Sequence, residues 1–353
     1  MSAVQLSRSL KIVVVGNDSQ TTRSGFSMRS KLAVGSHARV KFIGFWPGFD
    51  PFAYFVPLLR SHPFSFDVEV CHSGSCDIEI HSVFNGRRDR AVRRARRRIR
   101  RLSTGRTHAK LDDAKTWSSK PLRVWFTGEN VRPPVGKWDA TLSFDADSWT
   151  SNNAYFPLWW QMFPELVGER SGARPGIVPL SRFQPLETFM SNRHGQAGRR
   201  DLFACAIISN PEPMRLRAIE ALGQIGKVDV LGRVVGRPIE DKFEVFSRYQ
   251  FALCFENDLY PGYVTEKVFD AWGAGSIPLW WGIDRGGYLD DRAFLNLAAH
   301  ENIDSFVTEV AQVQRSTEVM DRMSSHALLR IPPNLDEVRR ILAAALLSGN
   351  ETP

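Results

Sequence analysis

The sequence predicts an α/β protein of two doubly wound domains, and three observations carry that prediction. Short, almost fully apolar runs recur at 40–45, 122–127, 203–209 and 249–255, the pattern of strands buried on both faces of a parallel sheet. Helix-forming stretches such as 215–222, 242–247 and 335–347 are interleaved with them. At 353 residues the chain is long for one hydrophobic core and comfortable for two. The expected division is an N-terminal domain over 1–185, carrying a basic insertion at 87–120, and a C-terminal domain over 186–353.

The elements follow in order. A first strand is expected at 11–15, then a polar stretch to Ser27, then a strand at 40–45 that runs into the turn-rich 46–51. Strands at 66–70 and 77–82 precede the insertion, and strands at 122–127 and 141–144 follow it. From Glu165 to Arg200 the composition turns to Gly, Arg, Ser and Pro without clear period, which reads as linker and peripheral structure. A strand at 203–209, a helix at 215–222, a strand at 228–231 and a helix at 242–247 open the second half, and helices at 304–314 and 335–347 close it.

Composition narrows the class. With 43% hydrophobic and 24% charged residues the chain is an ordinary globular protein, and no apolar run approaches the roughly 20 residues that span a bilayer. The start, through Gly16, is too short and too polar before its first strand for a secretory signal. Cys205 and Cys254 fall inside predicted strands as small core hydrophobes. Cys71 and Cys76 have neither a disulfide framework nor a zinc-knuckle spacing around them. The formal charge of +8 is local. Residues 87–106 hold eleven Arg and one Asp, a net of +10, which leaves about −2 for the remainder. Three readings compete for this run: a solvated loop, a helix on anionic lipid, and an electrostatic nucleic-acid site.

The stretch 249–282 carries the densest chemistry. It reads as strand, polar loop, helix, strand: one βαβ unit with its loop at a strand's carboxyl end, where open α/β sheets bind ligands. Thr265 is the expected cap of a helix starting at Glu266, and Gly275 its expected end. Lys267 is anomalous, because a cation in the first helical turn opposes the dipole unless an anion sits there too. Glu266 beside it suits the dipole and can accept from hydroxyls such as a ribose diol. A phosphate-bearing nucleotide satisfies both residues; a lysine pointing to water satisfies the same sequence.

Several segments resemble glycosyltransferase family 10, the α-1,3/4-fucosyltransferases. FENDLYPGYVTEK, 255–267, resembles the family's donor motif, and GAGSIPLWWG, 273–282, the segment after it. VWFTGENVRPP (124–134), DATLSFD (139–145) and IISNPEPMRLRAIEAL (207–222) continue the likeness upstream, and VKFIGFWPGFDP (40–51) is similar to bacterial members. The resemblance implies the GT-B arrangement, two Rossmann-like domains facing across a cleft. It implies inverting transfer of L-fucose from GDP-β-L-fucose to a hydroxyl of an oligosaccharide or glycolipid acceptor, most simply α-1,3 on a GlcNAc- or Glc-type sugar, without a required cofactor. Animal members are typically Golgi proteins with a membrane anchor; this chain resembles the bacterial, cytoplasmic type. In that setting the arginine run is expected to solvate or to touch anionic lipid at the inner membrane face, with no nucleic-acid partner.

The family's roles map onto matching residues. Glu129, just past the strand at 122–127 in Thr-Gly-Glu-Asn, matches the catalytic base, whereas the residues alone allow a surface-turn glutamate. Arg215, in Asn-Pro-x-Pro-Met-Arg, and Lys267 are the cations for the departing diphosphate. Asn257 and Tyr263 match donor contacts, and Glu266 the ribose contact. Glu256 and Asn210 are read as structural, Asn210 as a helix cap before Pro211. Asp145 and Asp147 form an Asp-x-Asp, but no metal ligand is assigned because the family does not use that position as a core ligand. Trp46, in a polar turn, is the one tryptophan expected at the acceptor site; Trp159, Trp160, Trp280 and Trp281 are expected in the core.

Overall fold

The computed structural model describes residues 30–86, 120–133, 138–145, 151–168 and 184–348. The expected strand at 11–15, the arginine run 87–106 and Asp147 lie outside the described residues.

Two sheets organise the chain, and every strand pair in them is parallel. The first is six-stranded and runs β2-β1-β3-β4-β5-β6. Its strands are β1 (His37–Ile43), β2 (Asp67–Val70), β3 (Ile78–His81), β4 (Leu122–Phe126), β5 (Ala140–Ser143) and β6 (Asn153–Tyr155). The second is five-stranded, β11-β10-β9-β7-β8. It comprises β7 (Leu202–Ile207), β8 (Val228–Leu231), β9 (Tyr249–Leu253), β10 (Ile277–Trp280) and β11 (Leu295–Asn296). Two parallel-sheet α/β lobes of this kind are the GT-B arrangement. In each sheet the strand order reverses beside its first strand, between β1 and β3 and between β7 and β9, and such switch points open ligand crevices at the strands' carboxyl ends.

Burial explains the apolar runs. In β7 and β9, Ala204, Ala206, Phe251 and Leu253 face one core while Cys205 and Ala252 face another, the two-residue alternation of a sheet covered on both sides. The four cysteines are free; Cys71, Cys205 and Cys254 are buried. Trp159, Trp160 and Trp280 are core residues, as their sequence context predicts. The core of the first lobe continues into the second: Trp159 stacks on Phe269 at 4.8 Å.

Helices fill the outer layers. They are α1 (Phe55–Arg60), α2 (Leu186–Met190), α3 (Pro213–Leu222), α4 (Lys242–Phe246), α5 (Lys267–Gly273), α6 (Ile303–Gln314), α7 (Thr317–Ser325) and α8 (Asp336–Leu346). α8 crosses back to the first lobe and packs on β5 and β6, where Leu32 N donates to Leu346 O at 2.8 Å. Among the described residues no helix is long and apolar enough to cross a membrane.

Three expectations need correction. The part of 165–200 that is described is not merely peripheral. Phe189 is buried against Phe269 and Trp272, Arg193 lies 3.6 Å over the Trp272 ring, and Arg200 donates to Tyr249 O, Ser276 Oγ and Ala274 O. Two guanidiniums sealing carbonyls inside a core look, in sequence, like linker charge. Second, Thr265 does not cap α5. Glu266 occupies the N-cap position, and the Thr265 hydroxyl donates to Glu256 at 2.8 Å while accepting from Lys267 N only a long bond of 3.5 Å. Third, Asn210 does not cap α3; Glu212 does, accepting from Met214 N and Arg215 N. Gly275 does follow α5 as expected, with φ +86°, and any Cβ there would lie 2.5 Å from Arg200 Nη2.

Candidate active site

A cavity of about 430 Å³ opens between the two switch points. From the first lobe it takes Trp46 and Phe84, beyond β1 and β3, and Gly128 and Glu129 beyond β4. From the second it takes Ser209, Asn210 and Arg215 after β7, and Asn257, Tyr263, Glu266 and Lys267 after β9. All six residues singled out in the sequence, Glu129, Arg215, Asn257, Tyr263, Glu266 and Lys267, line this one space.

Glu129 is half-buried at the mouth of the first lobe. Gly128 beside it is demanded by close approach: a Cβ there would lie 2.6 Å from Ser82 Oγ, 3.3 Å from Trp46 and 3.4 Å from Phe84. Burial raises the Glu129 pKa above its ordinary value. A hydrogen bond from Tyr263 and the field of Lys267 oppose the rise, while Glu266 and Glu256 add to it. The Tyr263 hydroxyl donates to Glu129 Oε2 at 3.2 Å across the gap. A carboxylate with a raised pKa, facing a cavity, is suited to take a proton.

Arg215 is buried in the first turn of α3 and points inward. Its guanidinium donates to Asn210 O, Phe255 O at 2.7 Å, Glu256 O at 3.2 Å and Asn257 Oδ1 at 3.4 Å. Burial lowers its pKa, and Glu212 and Glu256 work against that. The side chain therefore ties the loop after β7 to the loop after β9 while also facing the cavity.

Lys267 is neither free nor pointing to bulk water. Its Nζ lies 2.8 Å from Glu256 Oε2 and 3.3 Å from Thr265 Oγ1. Glu256, 0% exposed, also accepts from Thr265 N at 2.9 Å and Thr265 Oγ1 at 2.8 Å. Glu266 faces Lys242 at 3.6 Å, and Lys242 in turn bonds Asp270 at 3.1 Å. Burial drives the Glu266 pKa up, but Lys242 and Lys267 outweigh it and hold the carboxyl below its ordinary value. Asp270, 2% exposed, is pushed up to about 6, chiefly by burial.

Sequence reasoning missed Lys242 and Asp270 and undervalued Glu256. Lys242 lies on a different helix from Glu266, so no local spacing relates them. Asp270 had a legible signal. It is the single acid in Val-Phe-Asp-Ala-Trp, on a helix apolar all round and therefore buried all round. Among the described residues no group of three or more His, Cys, Asp or Glu is placed to hold a metal ion. Asp145 instead accepts from the Tyr260 hydroxyl at 2.8 Å.

Comparisons with known proteins converge on this region. Residues 197–324 match the model of glycosyltransferase family 10 (fucosyltransferase), C-terminal part. An alpha-(1,3)-fucosyltransferase, FucT, of Helicobacter pylori is 28% identical over 205 residues, covering 52% of this chain and 42% of that protein. The human 4-galactosyl-N-acetylglucosaminide 3-alpha-L-fucosyltransferase FUT5 is 35% identical over 192 residues, covering 52% and 44%. The chain thus spans less than half the length of these curated relatives. A crystal structure of an alpha1,3-fucosyltransferase with GDP-fucose superimposes at a TM-score of 0.59 with 19% identity, covering 92% of this chain and 94% of that one. At that identity the likeness speaks to the fold.

Proposed function

We propose that this chain, whose residues 197–324 match the glycosyltransferase family 10 model, is an inverting fucosyltransferase that moves L-fucose from GDP-β-L-fucose to a glycan hydroxyl. One observation carries the reading: Glu129 from the first lobe lines the same cavity as Arg215, Glu266 and Lys267 from the second.

In this reading the acceptor hydroxyl gives its proton to the Glu129 carboxylate as its oxygen bonds the anomeric carbon. The carbon–phosphate oxygen bond breaks on the opposite face, and GDP leaves with the electron pair. A single displacement of this kind inverts the anomeric centre, as in inverting hydrolysis with a sugar hydroxyl in place of water. Arg215 and Lys267 meet the charge growing on the diphosphate, Glu266 takes the ribose hydroxyls, and Asn257 and Tyr263 contact the donor. Both cations are held in place before the donor arrives, so little reorganisation is needed as charge develops. No step calls for a divalent ion.

The expected acceptor is an oligosaccharide or glycolipid, with transfer in the α-1,3 sense to a GlcNAc- or Glc-type sugar. The setting is cytoplasmic, with residues 87–106 either a solvated loop or a contact with an anionic membrane face; deletion of 87–106 that leaves vesicle binding unchanged removes the membrane contact. The central test is turnover of GDP-fucose with simple galactosides, parent against Glu129→Gln, beside a thermal-shift panel of nucleotide sugars. Stabilisation by GDP-fucose over UDP-sugars, with transfer lost in Glu129→Gln, is the expected result. Stabilisation by a different nucleotide sugar overturns the donor assignment.

A further inference from the structure

Glu129 sits in a short loop after β4, beyond the last strand residue Phe126, and the structure shows what holds that loop from the other side. Arg132, three residues on, donates from Nε to the Tyr260 hydroxyl at 2.7 Å. That hydroxyl donates in turn to Asp145 Oδ1 at 2.8 Å, and Arg132 Nη2 lies 3.5 Å from the same oxygen. Asn130 donates to Asp258 alongside. Arg132 and Asn130 belong to the Glu129 loop and Asp145 to the end of β5, all in the first lobe, whereas Asp258 and Tyr260 belong to the loop after β9 in the second. The contact is close at backbone level too: Gly262 has φ +86°, and a Cβ on it would lie 2.3 Å from Phe144 O.

None of Asn130, Arg132, Asp145, Asp258 or Tyr260 lines the cavity. These residues therefore act on whatever binds there through spacing alone. Asp145 is 7% exposed, so its charge is matched within the protein more than by water. A phenol bridging a guanidinium and a carboxylate makes two charge-assisted bonds, the strong kind, and fixes a distance as well as an affinity. The Glu129 side chain is met from across the gap by Tyr263.

We propose that Tyr260 is a positioning residue for Glu129. Its hydroxyl, clasped between Arg132 and Asp145, holds the Glu129 loop in register with the loop after β9, so that acceptor oxygen, base and donor meet in one geometry. The proposal rests on the functional reading above for its kinetic consequence and on the cross-lobe bonds alone for its structural one.

The test is Tyr260→Phe in the full chain, which keeps the ring and removes the bridging hydroxyl. A base displaced by a fraction of an ångström to an ångström loses rate steeply, so kcat with GDP-fucose is expected to fall about tenfold to a hundredfold. Affinity for GDP is expected to match the parent, because no cavity residue changes, while the melting temperature falls modestly with the loss of two charge-assisted bonds. Backbone amides at 128–132 are expected to exchange with deuterated water about tenfold faster, as local opening becomes easier. Parent-like kcat and parent-like exchange overturn the proposal. So does a fall in kcat matched by an equal loss of GDP affinity, which marks a general structural role. A parent that transfers no fucose overturns the functional reading instead, and the exchange rates then decide the clasp by themselves.

Discussion

Lys267 Nζ and Glu256 Oε2 lie 2.8 Å apart, one at the start of α5 and the other at the end of the β9 run. The pair resolves the anomaly of a cation at a helix N-terminus: a fully buried carboxylate neutralises it and aims it, and the Thr265 hydroxyl and amide complete the carboxylate's bonds. Lys267→Met is predicted to strand that carboxylate. Removing one partner of a buried pair costs about 3–5 kcal/mol, and losing a leaving-group cation lowers the rate about 10²- to 10³-fold. Glu256→Gln keeps one acceptor oxygen for Thr265 and releases the ammonium, so it should weaken GDP binding with a smaller loss of stability. Urea unfolding and calorimetric titration with GDP measure the two.

Glu129→Gln is predicted to lower transfer about 10²- to 10⁴-fold, the usual share of a general base. In the parent, kcat/KM should fall on the acid side with a midpoint above the ordinary 4.5, since burial raises the pKa and the base must be ionised. The stability sign is opposite to that of a salt-bridged acid. The folded state holds the proton more tightly than the unfolded chain, so the Glu129 contribution is full below 4.5 and is lost as pH rises through the raised value. At neutral pH the Gln variant should therefore melt at or above the parent temperature. A pH–rate profile and thermal melts check both halves.

Arg215→Lys is not conservative here. The guanidinium reaches Asn210 O, Phe255 O and Glu256 O together, and an ammonium cannot span them. Hydrogen bonds to charged groups contribute roughly 1.5–3 kcal/mol each, so loss of at least one should lower stability by about 2 kcal/mol. GDP affinity should fall with it, because the same side chain faces the cavity. A denaturation curve with and without GDP separates the two effects.

Trp46 lines the cavity beside Glu129 and meets Phe84 edge-on at 6.0 Å, with Phe84 36% exposed. An apolar shelf next to the proposed base suits the hydrophobic face of an acceptor sugar. Trp46→Ala should raise the acceptor KM about tenfold, the loss of a modest buried apolar area, while the Kd for GDP stays at the parent value. Equal changes in both would place Trp46 elsewhere in the reaction.

Much of this architecture was legible in the residues. Apolar runs of strand length, such as 202–207 and 249–253, mark strands of a parallel sheet because both of its faces must be covered. That the six candidate residues share one cavity was legible because motif order along the chain is local information, and switch-point topology delivers local loops to one crevice. Short elements escaped: β6 is three residues long, and α2 is a five-residue helix in a stretch that reads as linker.

What the sequence by itself determined is the alternation of strand and helix, the polar loops at strand ends and the identity of the groups that face the cavity. Tertiary structure alone decided who neutralises whom. Lys242 meets Asp270 across 28 positions, Asn130 meets Asp258 across 128, and the C-terminal helix α8 seats itself on the first sheet. The physical reason is one of range. Backbone preference and burial periodicity act over a few residues, whereas a buried charge accepts whichever partner the packing brings within about 3–4 Å, however far away that partner lies in the chain.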